Sequence, residues 1–368
     1  MKGVEMLSMF QTKPDLIVHS KDPLNAEPPL AHLRENFITP QKFFYVRSHG
    51  NIPKLDPARH RLSVTGMVTT PLDLSMDELR TRFSKRQVTA VLQCAGNRRA
   101  DMQQVKPVSG DPWAPGAIGN AEWGGVALAD VLRAAGADET RTLHVAFAAL
   151  DDIDIEGEQF RFGASLPMAK ALSSDVLLAF EMNGDALLPE HGFPLRVITP
   201  GYAGVRSPKW LASISVQDMP SDNHIQQRDY RLVPPHITKD TVDWSKGMTI
   251  NDMPLNSAIC EPAAHATLKA GKTMARGYAI ATERRVVRVD VSINDGRNWS
   301  QAELEPDSDA PWSWVFWQAE LDLPAGEHEL AVRAWDSAGQ TQPVRPDDTW
   351  NFKGYLSAAW HRVPVTVS

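Results

Sequence analysis

The sequence contains very little cysteine and no excess of positive charge, and both shortages restrict what the protein can be. Only two cysteines occur in 368 residues, which excludes the disulfide framework of small secreted domains. The formal net charge is -7, so the chain has no overall basic surface for nucleic acid. No apolar run approaches the roughly 18 residues of a membrane-spanning helix. We therefore expect a soluble protein without nucleic-acid or membrane partners.

The N-terminal stretch "MKGVEMLSMFQTKPDLIVHSKDP" also lacks a sustained apolar segment and a twin-arginine pair. As written, the sequence predicts a cytoplasmic protein, or a periplasmic one if a leader has been removed. The first forty residues are rich in proline and charge, and we expect them to lie on the surface as an extension.

The length of the chain exceeds the usual limit for a single hydrophobic core, which predicts two domains. Up to about Trp244, strand and helix patterns are mixed without a βαβ rhythm, so the fold class is α+β. We place the first domain at residues 1–245, including the extension at residues 1–40, and the second domain at residues 246–368.

Local signals in the first domain predict particular elements. "SMDELRTRF" begins with Ser75 and has Glu78 three residues later, which is a capping box that starts a helix. "ALADVLRAAGA" is amphipathic and predicts a helix that ends near Gly136. "DVLLAFEMNGDALL" predicts a buried strand, a turn at Asn183 and Gly184, and a return strand.

The pattern changes after Trp244. "VVRVDVSINDGRNWSQAEL" alternates apolar and polar residues and contains a turn at residues 294–296. "HELAVRAWD" and "HRVPVTVS" alternate in the same way. Short strands at even spacing, with almost no helical pattern, predict a β-sandwich.

Cys94 lies in "VLQCAGNRRA", at the end of an apolar strand-like run. No C-x-x-C or histidine spacing accompanies it, so a zinc site is not indicated, and no base for a nucleophilic thiol lies nearby in the sequence. Arg98 and Arg99 would lower the pKa of the thiol and favour a thiolate, which is a soft ligand for a transition metal. Taken alone, Cys94 is better interpreted as a buried structural cysteine, which is also how we interpret Cys260.

"LQCAGNRR" resembles the signature of the sulfite oxidase family of molybdenum enzymes, in which the cysteine is the protein ligand to molybdenum. The resemblance extends over nearly the whole chain in the family's order. It includes "ENFITPQKFFYVRSHGNIP", "MQQVKPVSGDPW", "LLAFEMNGDALLPEHGFPLRVITPGYAGVRSPKWL", "QRDYR" and "NFKGYLSAAWHRVPV".

The resemblance implies a molybdopterin-binding α+β domain followed by an immunoglobulin-like β-sandwich that pairs subunits into a homodimer. It further implies a molybdenum cofactor with one pterin and no haem, because no segment resembles a cytochrome domain. Electrons would then pass to an external acceptor, such as cytochrome c, another redox protein or oxygen.

Cofactor-binding residues follow from the same resemblance. The pterin carries a phosphate, and the forked guanidinium of arginine suits phosphate because it forms paired, charge-assisted hydrogen bonds. Cys94 would be the metal ligand, and Asp151 would bond the pterin ring. The full predicted set is Tyr45, Arg47, His49, Cys94, Asp151, His191, Arg196, Ser207 and Lys209.

Substrate-binding residues form a second predicted set. Arg47, Arg99 and Arg362 match the family's anion-binding arginines, Trp113 matches the tryptophan that lines the pocket, and Tyr230 matches a tyrosine that hydrogen-bonds near the metal. On this basis we expect Arg362→Met to raise the KM for sulfite at least about tenfold.

The implied activity is the oxidation of sulfite to sulfate by oxygen-atom transfer. The alternatives are nitrate reduction, which the presence of Tyr230 and Arg362 disfavours, and sulfane dehydrogenation, which the missing export signal disfavours. A non-catalytic binding protein would not need Cys94 together with the arginines. One departure from the animal enzymes is Ser109, which stands where they have a lysine, so one positive charge near the substrate entrance is missing.

Overall fold

The computed structural model describes residues 16–155, 157–305 and 310–368, and most of the regular structure in these ranges is β-strand. The α-helices are short: α1 (Leu30–Glu35), α2 (Met76–Arg82), α3 (Arg99–Gln103), α4 (Leu128–Ala134) and α5 (Met168–Ala171). The strands are β1 (Ile17–Lys21), β2 (Leu24–Glu27), β3 (Val46–Arg47), β4 (Arg61–Gly66), β5 (Leu72–Ser75), β6 (Lys85–Gln93), β7 (Ile118–Ala127), β8 (His144–Ile155), β9 (Glu158–Pro167), β10 (Leu177–Met182), β11 (Asp185–Ala186), β12 (Arg196–Ile198), β13 (Leu211–Gln217), β14 (Arg231–Leu232), β15 (Met248–Thr249), β16 (Asn256–Glu261), β17 (Thr267–Leu268), β18 (Gly271–Ile280), β19 (Val286–Ser292), β20 (Ser300–Gln301), β21 (Glu303–Leu304), β22 (Val315–Leu323), β23 (Gly326–Asp336) and β24 (His361–Val367).

Two five-stranded sheets and a three-stranded sheet build the first domain. One five-stranded sheet has the order β11-β10-β7-β6 with β12 also paired to β10, and the other has the order β5-β4-β13-β8-β9. Apolar side chains of both sheets and of α2 and α4 form one core. β6 is an edge strand of its sheet and ends at Gln93, so Cys94 is the first residue after the strand.

The predicted local elements of this domain are confirmed. Helix α2 begins after Ser75, whose hydroxyl accepts the Glu78 N–H while the Glu78 carboxylate accepts the Ser75 N–H, as in a capping box. Helix α4 stops just before Gly136, which has a φ of +69°. β10 and β11 form a hairpin, and its turn residues Asn183 and Gly184 have positive φ.

The N-terminal extension is more integrated than its composition predicts. Its residues 1–15 lie outside the described residues, but β1 pairs with β2, and β2 pairs with β3, in the three-stranded sheet. Glu27 is fully buried and its carboxylate accepts the N–H groups of Ala114 and Gly116. The expectation of a surface-lying extension is therefore wrong for this strand, because buried backbone donors require an internal acceptor.

The second part of the chain is the predicted β-sandwich. A four-stranded sheet of order β16-β18-β22-β21 faces a five-stranded sheet of order β17-β24-β23-β19-β20. Alternate residues of these strands, such as Val289 and Val291 in β19, point into a common apolar core. The turn between β19 and β20 has positive φ at Asp295 and Gly296, as the sequence indicates.

The sandwich packs against the first domain through both polar and apolar contacts. Arg98 donates to Asn256 Oδ1 at 2.8 Å, and the Tyr278 hydroxyl donates to the Pro115 carbonyl at 2.8 Å. Leu33, on α1, shares an apolar cluster with side chains of β16, β18 and β22. Among the described residues, no helix is long and apolar enough to cross a membrane.

Candidate functional site

The predicted cofactor residues surround a single enclosed cavity in the first domain, with a free volume of about 60 Å³. These residues come from separate segments of the chain, and the fold brings all of them together. Of the two predicted sets, the cavity wall contains Tyr45, Arg47, His49, Cys94, Asp151, His191, Arg196, Ser207, Lys209 and Tyr230.

Cys94 holds its thiol in the wall of this cavity. The Cys94 N–H donates to the Ala117 carbonyl at 2.9 Å, and the sulfur accepts the Gly96 N–H at 3.4 Å. Burial raises the pKa of the Cys94 thiol, and the positive charges of Arg47 and Arg99 only partly oppose this effect. The predicted lowering of this pKa is therefore outweighed, and Arg98 faces the second domain instead.

Two cations lie in the wall of the cavity, the buried Arg196 and the half-buried Lys209. Arg196 donates to the carbonyl oxygens of His191 at 2.8 Å and Ser207 at 3.1 Å, and its guanidinium lies over the Trp123 ring. Burial lowers its pKa to about 10. Lys209 donates to Ser48 Oγ and to a backbone carbonyl, and burial lowers its pKa to about 7, with Arg196 acting in the same direction. Buried cations held by neutral acceptors favour the binding of an anion.

Asp151 is a buried acidic residue of the cavity wall. It is 2% exposed, and its Oδ1 is buried without a hydrogen-bond partner among the described residues. Burial raises its pKa to about 6, although the charge of Lys209 opposes this rise. A buried polar atom without a partner is uncommon in a folded protein, so this oxygen fits a ligand that donates a hydrogen bond.

Tyr230 and His49 form a hydrogen-bonded pair, with 2.9 Å between the hydroxyl oxygen and Nε2. The pair is held in place because Tyr230 follows a single π-helical turn, Ile225–Asp229, and its N–H donates to the Ile225 carbonyl. Burial, followed by the charge of Arg47, lowers the pKa of His49 well below its usual value. The imidazole is therefore neutral near neutral pH.

Arg47 and Arg99 approach the thiol from different sides. Arg47 lines the cavity and donates to the Ser48 carbonyl, whereas Arg99 donates to the carbonyl oxygens of Lys353 and Asp111 at 2.9 Å each. Three glycines leave room for the Arg99 side chain, because a Cβ at any of them would lie within 3 Å of it. These glycines are Gly96, Gly110 and Gly354.

Arg99, Arg362 and Trp113 are the predicted residues that do not line the cavity. Arg362 lies on β24 of the sandwich, where it pairs with Asp295 at 2.7 Å and donates to the Val344 carbonyl. The prediction that it binds the anion is wrong, because the strand that carries it lies on the far sheet of the sandwich. Trp113 is fully buried in the apolar cluster around Cys94, edge-on to His19, and is a core residue rather than a wall of the cavity.

Sequence reasoning missed Lys353 and Tyr355, both in the quoted segment "NFKGYLSAAWHRVPV". The charge of Lys353 contributes to the lowered pKa of His49, and its ammonium pairs with Asp229 at 3.1 Å. The Tyr355 ring stacks on the Tyr230 ring with 5.1 Å between centroids. The second part of the chain does reach the site, but through this loop and not through Arg362. The signal available in the sequence was the stretch "KGY" at residues 353–355, a basic residue followed by a glycine and a tyrosine.

The donor set fits a molybdenum–pterin cofactor. Within the described ranges no group of three His, Cys, Asp or Glu side chains is placed to hold a metal ion, so a metal here would bind one protein thiolate and the cofactor's own atoms. The unpartnered Asp151 oxygen and the buried cations match a pterin that carries a phosphate. Because the free space is small, we expect long side chains such as Arg47 to turn outward when the cofactor binds.

Comparisons with known proteins agree with this arrangement. Family models described as "Oxidoreductase molybdopterin binding domain" and "Mo-co oxidoreductase dimerisation domain" match residues 49–225 and 247–368. Sulfite oxidase of Gallus gallus is 44% identical over 95% of this chain and 77% of that protein. Sulfite oxidase of Arabidopsis thaliana is 39% identical over 95% and 93%. The solved sulfane dehydrogenase SoxCD from Paracoccus pantotrophus superposes with a TM-score of 0.81 at 26% identity, covering 98% of this chain and 93% of that one.

The raised pKa of Asp151 predicts how the cofactor-free protein responds to pH. Between the unfolded pKa near 3.9 and the folded pKa of about 6, the folded state binds more protons than the unfolded state. The wild-type protein therefore loses stability as pH rises through this window. Asp151→Asn removes the titration, so the variant should gain on the order of 2–3 kcal/mol relative to wild type between pH 4 and pH 6.5.

Urea unfolding of both cofactor-free proteins at several pH values measures this difference. The exposed Asp152→Asn variant, next in the chain, is the matched control and should show no such gain. A constant difference between wild type and Asp151→Asn across the window would contradict the assignment.

Proposed function

The chain belongs to the sulfite oxidase family of molybdenum oxidoreductases, and from that membership we propose that it oxidises sulfite to sulfate and passes the two electrons to an external acceptor. The observation that carries the proposal is the convergence of one buried thiol, Arg47 and Tyr230 on a cavity with a cationic wall, with the charge of Arg99 also acting on the thiol. Neither a structural cysteine nor a simple binding protein accounts for that combination.

Cys94 would hold the metal, Arg196, Lys209 and Ser207 would hold the phosphate of the pterin, and Asp151 would accept a hydrogen bond from its ring. When bound, the molybdenum cofactor supplies two-electron redox chemistry and oxygen-atom transfer. The side chains around the cavity are largely buried, and burial strengthens the electrostatic interactions between them and their ligands.

Arg47 and Arg99 would bind the sulfite anion. Sulfite gives up much of its hydration in an enclosed site, and guanidinium donors replace it with charge-assisted hydrogen bonds. Arg99 is fixed by two backbone acceptors and by the glycines around it, so little of its side-chain freedom remains to be lost on binding. Lys353 adds a further positive charge near the pocket.

Tyr230 would position the substrate side of the site. Its hydroxyl faces the neutral His49 imidazole, and neutrality allows the ring nitrogen either to accept the Tyr230 proton or to donate its own. Burial raises the pKa of Tyr230 well above its usual value, so its oxygen keeps the proton and the hydroxyl can donate a hydrogen bond to His49 or to the bound anion.

The reaction is tested by steady-state turnover of purified, molybdenum-loaded protein. Sulfite with ferricyanide as acceptor should be turned over, whereas nitrate with a reduced dye and thiosulfate with ferricyanide should not. Turnover of nitrate or thiosulfate in preference to sulfite would overturn the proposed substrate.

We also expect the chain to form a homodimer through residues 247–368. On β23, Val332 and Ala334 point into the sandwich core, so Arg333 and Trp335 lie on the opposite face. There the Arg333 guanidinium lies over the rings of Trp299 and Trp335, at 3.9 and 4.5 Å from their centroids. Partly exposed tryptophan and arginine are common at protein interfaces. Light scattering of the intact chain at micromolar concentration measures the mass, and a monomer would reject the assignment.

Cys94→Ser should keep the fold but lose sulfite oxidation, because a hydroxyl is a harder and far less acidic ligand than a thiol. Circular dichroism checks the fold and metal analysis reports the bound molybdenum. Cys260→Ser, at the other buried cysteine, is the control and should retain turnover. Full activity of Cys94→Ser with molybdenum bound would exclude Cys94 as the ligand.

Arg47→Met should raise the KM for sulfite about tenfold or more, because it removes a cationic donor from a desolvated anion. Arg362→Met replaces an arginine that pairs with Asp295 on the sandwich, and its KM should stay within about twofold of wild type. Rates are normalised to bound molybdenum, since Arg47 also lines the cofactor cavity. The reverse order of effects would restore the sequence-based assignment of Arg362.

A further inference from the structure

A second concave site lies between the two parts of the chain, and nothing in the catalytic assignment uses it. It is a groove of about 620 Å³, walled on one side by residues 232–255 and on the other by residues 340–358. Its size falls within the range of small-molecule sites, which is roughly 300–1,000 Å³.

The chemistry of the groove suits a flat, mostly apolar molecule with polar ends. Leu232, Leu255, Met248 and Trp350 provide an apolar surface with an aromatic ring, and prolines stiffen the wall. Met248 is 62% exposed, so its side chain can contact a molecule that enters the groove. Polar groups that can meet a carbonyl oxygen, such as Lys246, also line the groove.

The back of the groove connects to the catalytic cavity through two aromatic rings. Tyr355 lines the groove, and its ring stacks on Tyr230 with 5.1 Å between centroids and an angle of 16°. Tyr230 in turn lines the cavity that contains Cys94. The stacked Tyr355 and Tyr230 rings therefore link the wall of the groove directly to the wall of the cavity that contains Cys94.

We propose that this groove binds a quinone as the electron acceptor of the enzyme. The inference rests on the proposed function, because sulfite oxidation releases electrons that must leave the site. The balance is complete: sulfite and water give sulfate, two protons and two electrons, and the quinone takes up those two electrons and two protons to become the quinol. A concave groove of this volume matches a small planar molecule better than a protein acceptor, which would need a flat surface.

The test compares two acceptors on the intact, molybdenum-loaded protein. Menadione, a naphthoquinone without an isoprenoid tail, is the quinone used, and ferricyanide is the reference acceptor. Met248→Trp fills the groove at an exposed position. Met219→Trp, at another exposed methionine that does not line the groove, is the matched control.

Met248→Trp should raise the KM for menadione about tenfold or more and weaken menadione binding by calorimetry to the same extent. Its sulfite turnover with ferricyanide should stay within about twofold of wild type, and Met219→Trp should leave both reactions unchanged. Pro234→Trp, at an exposed residue of the same wall, provides a second filling variant if Met248→Trp does not fold.

Equal menadione kinetics and binding in wild type and both filling variants would overturn the proposal. Ferricyanide turnover without any menadione binding would also overturn it while leaving sulfite oxidation intact, and reduction of a cytochrome by the same protein would then indicate an acceptor that docks on the surface. If the wild-type protein oxidised sulfite with neither acceptor, the proposed function would be rejected, and calorimetry would still decide whether the groove binds menadione.

Discussion

The constraint on which the site depends is buried positive charge. Arg196 and Lys209 lie in the wall of an enclosed cavity, and the acceptors closest to them are backbone carbonyls and a hydroxyl rather than carboxylates. Neutral acceptors replace only part of the hydration that a cation loses, which is why burial lowers the pKa of both groups. The fold holds this unfavourable arrangement in place, and an anionic ligand removes most of its cost.

Both parts of the chain contribute residues to the site. The first domain supplies the thiol and the cationic wall. The second contributes the loop of Lys353 and Tyr355, and Arg99 is bound to that loop through the Lys353 carbonyl. Because Arg98 and Tyr278 tie the sandwich to the Cys94 segment, a change in the packing of the two domains would disturb the anion site directly.

Much of the local structure could be predicted because its causes are local. The capping box of Ser75 and Glu78, the Asn183-Gly184 turn and the alternating strands of the sandwich each depend on neighbouring residues, and each is present. The predicted cofactor residues came from resemblance in several motifs at once, and the structure brings them together in the wall of one cavity. The assignment of Arg362 to the anion site was wrong because Lys353 and Arg362 lie in the same motif. Only the path of the backbone shows that Lys353 is the one near the site.

The sequence by itself determined the α+β and β-sandwich organisation, the family and most of the cofactor cavity, since periodicity, capping and motif order are properties of the chain. The tertiary structure decided the rest, because it depends on distances between segments far apart in sequence. Packing placed Trp113 in the core, turned Arg98 away from Cys94, and made burial outweigh the nearby arginines at the thiol. It also stacked Tyr355 on Tyr230, and thereby set the inter-domain groove against the catalytic cavity.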